Sequence, residues 1–193
     1  MTTETHPLAP FLPKEGRILF LGSFPPPKDR WSMEFFYPNW INDFWRIMGL
    51  LFFEDSHHFE VEGEKRFDRD RIMDFCEAEG LAFYDTAVKV CRLKDNASDN
   101  FLEILEATDV AGLLAQMPGC RTIVTTGGKA SEELASTIGS AIIPPVGGCL
   151  DVVIGGRRMK WWRMPSSSRA YPMSLEKKAG AYMAVKDSLL SGR

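Results

Sequence analysis

The stretch from Tyr37 to Ile47, YPNWINDFWRI, places two asparagines and two tryptophans within eleven residues, with Phe35, Phe36 and Phe44 around them. An amide does not titrate near neutral pH, so an asparagine here is no general base. Its carbonyl can orient a water molecule and its dipole can face developing positive charge. The surrounding rings make the segment as much a pocket wall as a helix start. Asn42 has an ordinary alternative as a helix N-cap, its side-chain oxygen accepting from a backbone N–H two or three residues on.

A second group lies near the end of the chain. MPSSSRAYP (164–172) carries three hydroxyls and an arginine. Serines with accessible backbone amides bind phosphate by short hydrogen bonds, and the same residues also make polar turns that cap helices. A serine nucleophile is disfavoured, because no histidine follows and there is no G-x-S-x-G elbow. Five basic residues and no acid lie between Arg157 and Arg169, a local positive stretch on a chain of net charge −3. That net charge argues against a protein that coats nucleic acid indiscriminately. GSFPPPKD (22–29) and TTGGKAS both lack the spacing of a phosphate-cradling loop. The triple proline removes three donors in a row, so an anion-stabilising N–H in the first loop must come from Ser23, Phe24 or residues past Lys28.

The elements that would hold these groups alternate. RILFLG, LAFYDT and RTIVTT read as buried strands. NDFWRIMGLLF, DRDRIMDFCEAEG (closed by Gly80), GGKASEELASTIG and SLEKKAGAYMAVKDSLL read as helices. DNFLEILEATDVAGLLAQMPG is expected to hold one or two further helical runs. LDVVIGGRRMKWWRMP reads as a hairpin turning at Gly155-Gly156. The alternation predicts an α/β fold: a three-layer α/β/α sandwich around a central, mostly parallel sheet of about four strands. In such sheets ligands bind beyond the carboxyl ends of the strands, here GSFPPP, YDT, TTGG and MPSSS.

At 193 residues and 45% apolar content, one core is expected, over 16–193, after a Pro-rich lead-in (1–15) that packs on the domain or frays. No apolar run reaches the ~18 residues of a membrane span, and the start lacks the order of a signal peptide; the expected location is the cytoplasm. Cys76, Cys91, Cys120 and Cys149 are widely spaced and read as buried free thiols. No metal site or cofactor is expected.

ILFLGSFPPP, FFYPNWINDFWRIMG, GLAFYDTAVKVCR, TTGGKA and MPSSSRAY occur in the order found in the uracil-DNA glycosylase superfamily, which the chain resembles over about residues 16–190. It is most similar to the mismatch-specific and hypoxanthine-DNA glycosylase branches, with their Gly-Ser-x-Pro-Gly, Tyr-Ala-His-Pro-Arg-Asn-x-Phe-Trp and Leu-Pro-Ser-Thr-Ser motifs. There are departures. Phe24 stands where most members orient water with Asp or Asn, Met164 replaces a histidine of some members, Asn39-Trp40-Ile41 replaces His-Pro-Arg, and Pro26 replaces a glycine.

The resemblance implies a monofunctional, monomeric enzyme that flips uracil or hypoxanthine out of DNA carrying a damaged or mismatched base and leaves an abasic site. Asn42 is then the catalytic residue. Gly22, Ser23, Phe24, Tyr37 and Asp85 form the base pocket, with Tyr37 stacking on the base and Asp85 reading its edge. Ser166, Ser167 and Ser168 grip phosphates, and Arg169 or Tyr171 enters the duplex. A catalytically silent relative that binds nucleic acid or a nucleobase is the alternative.

Overall fold

The computed structural model describes residues 2–93 and 102–190. Its first strand, β1 (Thr2–Thr5), is short and largely exposed. The second, β2 (Ile18–Gly22), is a run of five buried residues, as is β3 (Leu81–Asp85). Continuous burial of this kind belongs to parallel strands covered on both faces. They join β6 (Thr122–Thr126), β7 (Cys149–Ile154) and β8 (Arg157–Met164) in a five-stranded sheet of order β3-β2-β6-β8-β7. The first four in that order run parallel. The last, β7, is antiparallel to β8 across a turn at Gly155 and Gly156, whose φ of 56° and 76° suits glycine and a two-residue hairpin.

Helices α1 (Phe44–Phe53), α2 (Arg69–Glu79), α3 (Val110–Ala115), α4 (Gly128–Ile138) and α5 (Leu175–Leu190) account for the helical segments. The start of α2 is fixed by Asp68, whose side chain accepts from the Arg71 N–H at 3.1 Å, and its end by Gly80 at φ 69°. Both are end signals readable in the sequence. α1 packs along α5, and Lys186 of α5 donates to the Leu51 carbonyl at 2.5 Å. No described helix is long and apolar enough to cross a membrane. Among the thiols, Cys76, Cys91 and Cys120 are buried and Cys149 half-buried; burial pushes Cys76 well above its ordinary value and Cys120 up to about 11.

Of the one or two helical runs expected in 99–119, the described residues hold one, α3, capped by Asp109 on the Gly112 N–H at 2.9 Å. The stretch before it is a strand, β5 (Leu102–Ala107), which pairs antiparallel with β4 (Ala87–Arg92). Leu102 and Ile104 flank Glu103, and that spacing of two packs them on Val90 and Phe24. Residues 99–101, where the helical reading begins, lie outside the described residues. β1 closes the other edge of β4, giving a second, three-stranded sheet of order β1-β4-β5. The lead-in is therefore paired with the body: Phe11 and Phe83 also exchange backbone hydrogen bonds at 2.9 and 3.0 Å.

Candidate active site

The parallel register sets Gly22 beside Asp85, and Thr126 beside Met164. These four residues form one row at the carboxyl ends of the strands, the edge where α/β sheets bind ligands. Asp85 is held there by its neighbours. Thr108 donates to the Asp85 carbonyl at 2.7 Å, and the next residue, Thr86, donates its N–H to the Gly22 carbonyl at 2.8 Å. A side chain at position 22 would overlap Asp85 Oδ1, so glycine is what admits the carboxylate to the row.

Tyr37 comes to the row from the loop before α1. Its hydroxyl lies 2.6 Å from Thr126 Oγ1, and its ring stacks on Phe44 at 3.9 Å and 7°. Tyr37 has φ 52°, a left-handed conformation uncommon for an aromatic residue and a sign of a backbone held by its surroundings.

Asn42 sits just before α1, half-buried. Its Oδ1 accepts from the Phe44 N–H, two residues on, at 2.9 Å, a side-chain turn that leads into α1; the N-cap position itself is held by Asp43, whose side chain makes no capping bond. The backbone of Asn42 is held from several directions. Its N–H donates to Asn39, its carbonyl accepts from Arg46 at 3.1 Å, and it bridges Ser168. Arg46 also donates to the Trp40 carbonyl at 2.8 Å, lies 4.5 Å from the Trp40 ring and pairs with Glu60 at 2.6 Å. Burial lowers its pKa, with Glu60 opposing.

The neighbour of Asn42 joins this segment to the serine turn. Asp43 donates its N–H to the Ser167 carbonyl at 2.9 Å. Its Oδ1 accepts from Arg169 Nε at 3.0 Å and its Oδ2 from Lys178 Nζ at 3.0 Å. Lys178, wholly buried, donates also to the Ser168 carbonyl at 2.8 Å. Sequence reasoning missed Asp43, Lys178 and Arg46. One signal was available: Lys178 shares the stripe of Tyr182, Val185 and Leu189 on α5, and a lysine on an apolar stripe calls for a buried acid.

Of the remaining expected residues, Ser23 is buried beside Gly22. The Phe24 ring is not brought to the row; it packs with Ala87, Val90 and Leu102 under the second sheet and reaches Asp85 only through His6, which it meets edge-on at 5.4 Å. Ser166 and Ser168 make the polar turn: their hydroxyls accept from the N–H groups of Ser168 and Ala170, both at 3.2 Å. Ser167 is buried, Arg169 exposed and Tyr171 half-buried. The basic stretch is split rather than gathered. β8 has a period of two, so Arg157 turns inward onto the carbonyls of Met117 and Pro118, at 3.2 and 3.1 Å, whereas Arg158 and Lys160 turn outward.

Two concavities lie elsewhere: one of about 370 Å³ at loop 57–65, and one of about 180 Å³ between β1 and the proline loop. Neither is lined by Asn42, Tyr37 or Asp85. Among the described residues no group of His, Cys, Asp and Glu could hold a metal ion.

No protein-family model matches the chain, and no curated protein matches it in sequence. The fold does have solved counterparts. The chain is similar in structure to a Methanosarcina acetivorans protein, solved by solution NMR and described as a proposed uracil DNA glycosylase, with a TM-score of 0.63, 21% identity, and coverage of 94% of this chain and 96% of that one. At this identity the likeness is one of fold, and it runs almost end to end.

Proposed function

We propose that this protein is a monofunctional DNA glycosylase that flips a deaminated base, uracil or hypoxanthine, out of DNA and hydrolyses its N-glycosidic bond. The observation that carries the reading is the convergence of Tyr37, Asp85 and the Asn42–Ser168 bridge on one sheet edge, in a fold like that of a proposed uracil DNA glycosylase. The reading places the chain in the hypoxanthine or mismatch-specific branch, as one domain over 16–193 with the lead-in docked on it through β1 and Phe11, working as a monomer.

A base in a duplex has to leave the stack before its glycosidic bond can be reached. In the proposed complex it lies on Tyr37, with its edge toward Asp85, an acceptor suited to the N–H that both uracil and hypoxanthine present. Asn42 holds water beside the sugar carbon and faces its developing positive charge. Water adds to that carbon as the bond to the base nitrogen breaks, the base departs with the electron pair, and the proton shed by the added water passes through solvent to the departed base. Lys178 is no candidate for a covalent route, because its ammonium is spent on Asp43 and Ser168.

The test is excision from a panel of oligonucleotides, each with a single uracil, hypoxanthine, xanthine or undamaged base. Alkali-labile sites are expected at a deaminated base and not at normal ones. Binding should weaken with salt, at a log–log slope of about −0.9 per phosphate neutralised and roughly 2–4 phosphates in all. A flat salt response would remove DNA as the partner. A second reading, a silent nucleic-acid-binding relative, is favoured by the engagement of Asn42 Oδ1 with Phe44. It predicts the salt response with no cleavage anywhere on the panel.

A further inference from the structure

We propose that His6 is a positioning residue for base selection, which fixes the Asp85 carboxylate as a pure acceptor and so restricts the site to bases presenting an N–H at the edge read. The inference rests on the glycosylase reading and extends it to the lead-in.

His6 follows β1 directly, and its side chain is only 1% exposed, that of Asp85 10%. Nε2 of the ring lies 2.8 Å from Asp85 Oδ2. Nδ1 lies 2.9 Å from the Leu8 carbonyl and 3.2 Å from the Leu8 nitrogen. A carboxylate at Asp85 only accepts, so the ring it faces carries its proton on Nε2; Nδ1 then accepts from the Leu8 N–H in the neutral ring or donates to the Leu8 carbonyl in the charged one. The ring has little room to turn. Tyr84 lies 4.6 Å from it and Phe24 meets it edge-on, while the His6 N–H donates to the Val88 carbonyl at 2.8 Å.

With Oδ2 engaged by His6, Oδ1 is the oxygen left against Gly22. It can only accept. An asparagine at 85 would turn its carbonyl to the His6 N–H and its NH₂ toward the base, so the edge read would invert from donor to acceptor. Histidine behind and carboxylate in front are thus one unit, and the second sheet exists in part to deliver the histidine.

Two substitutions separate the ring nitrogens. His6→Asn can keep the Leu8 contact made by Nδ1 but is too short to reach Asp85. His6→Gln places an amide N–H₂ where Nε2 stands. The readout is the ratio of kcat/KM for uracil over 3-methyluracil in otherwise identical DNA, since methylation removes the N–H and leaves a comparable leaving group. His6→Asn is expected to lower this ratio about tenfold, and His6→Gln to hold it within about threefold of wild type, with abasic-site binding unchanged in both. Melting curves accompany each variant, so that a stability loss is seen as such. An unmoved ratio in His6→Asn, or an equal loss in His6→Gln, overturns the role of His6 and leaves the glycosylase reading standing. Absence of excision by the wild type overturns both.

Discussion

Asp43→Ala is expected to lose about 3–5 kcal/mol of folding stability, because it strands the ammonium of Lys178 without its acid. Lys178 is wholly buried and its partners are Asp43 Oδ2 and the Ser168 carbonyl; one neutral carbonyl does not compensate a buried charge. For a chain of this length the loss corresponds to roughly 6–20 °C in Tm. Lys178→Met in the same background should recover most of it, since replacing a whole buried pair by apolar groups is close to neutral. Thermal unfolding followed by circular dichroism checks both. A single-variant loss under ~1 kcal/mol, the range of an exposed pair, would mean that water reaches Lys178 and that the triad is not a fastening. Activity should fall further than stability in the double variant, because Asp43 also holds Arg169 at 3.0 Å.

Asn42→Ala is expected to reduce the single-turnover excision rate by at least about 100-fold, the usual loss when one oriented dipole is removed from a reacting centre, while lesion DNA still binds. The structure supplies a competing role that has to be separated from this one. Loss of the Oδ1 bond to the Phe44 N–H removes a local hydrogen bond worth about 1 kcal/mol. Asn42→Asp keeps an oxygen for that N–H, for water and for developing positive charge. Catalysis through this oxygen predicts that Asn42→Asp melts like wild type and excises at least about tenfold faster than Asn42→Ala. If Asn42→Ala excises within about threefold of wild type and only its melting point falls, Asn42 only shapes the turn into α1 and the silent-relative reading gains.

The alternation of buried runs with amphipathic segments carried most of the fold. β2 and β3 are unbroken apolar stretches ending at Gly22 and Asp85, and a parallel sheet leaves few other homes for such runs. β5 was illegible because Leu102 and Leu105 fit a helical period as well as Leu102 and Ile104 fit a strand; only the partner β4 decides. At the site, Tyr37 and Asp85 stood out by position. Asp43 did not, because its value lies in Lys178 and Arg169 on other elements, and His6 did not, because a lone histidine in a proline-rich segment carries no local pattern. Phe24 was placed in the pocket by chain position, but its ring follows the second sheet, whose existence the sequence did not announce.

The clasp made by Asp43 joins residues 126 and 135 positions apart in the chain, Arg169 and Lys178 respectively. Closing loops of that length carries an entropy cost that has to be met before the contacts return anything. The β2–β6 pairing, Ile18 with Thr122, closes a loop of similar length, so sheet and clasp meet comparable costs. Without Arg169 and Lys178 in place, the segment around Asn42 lacks its far anchor. A molecule with an intact core but an undocked α5 would be a folded protein without an organised site.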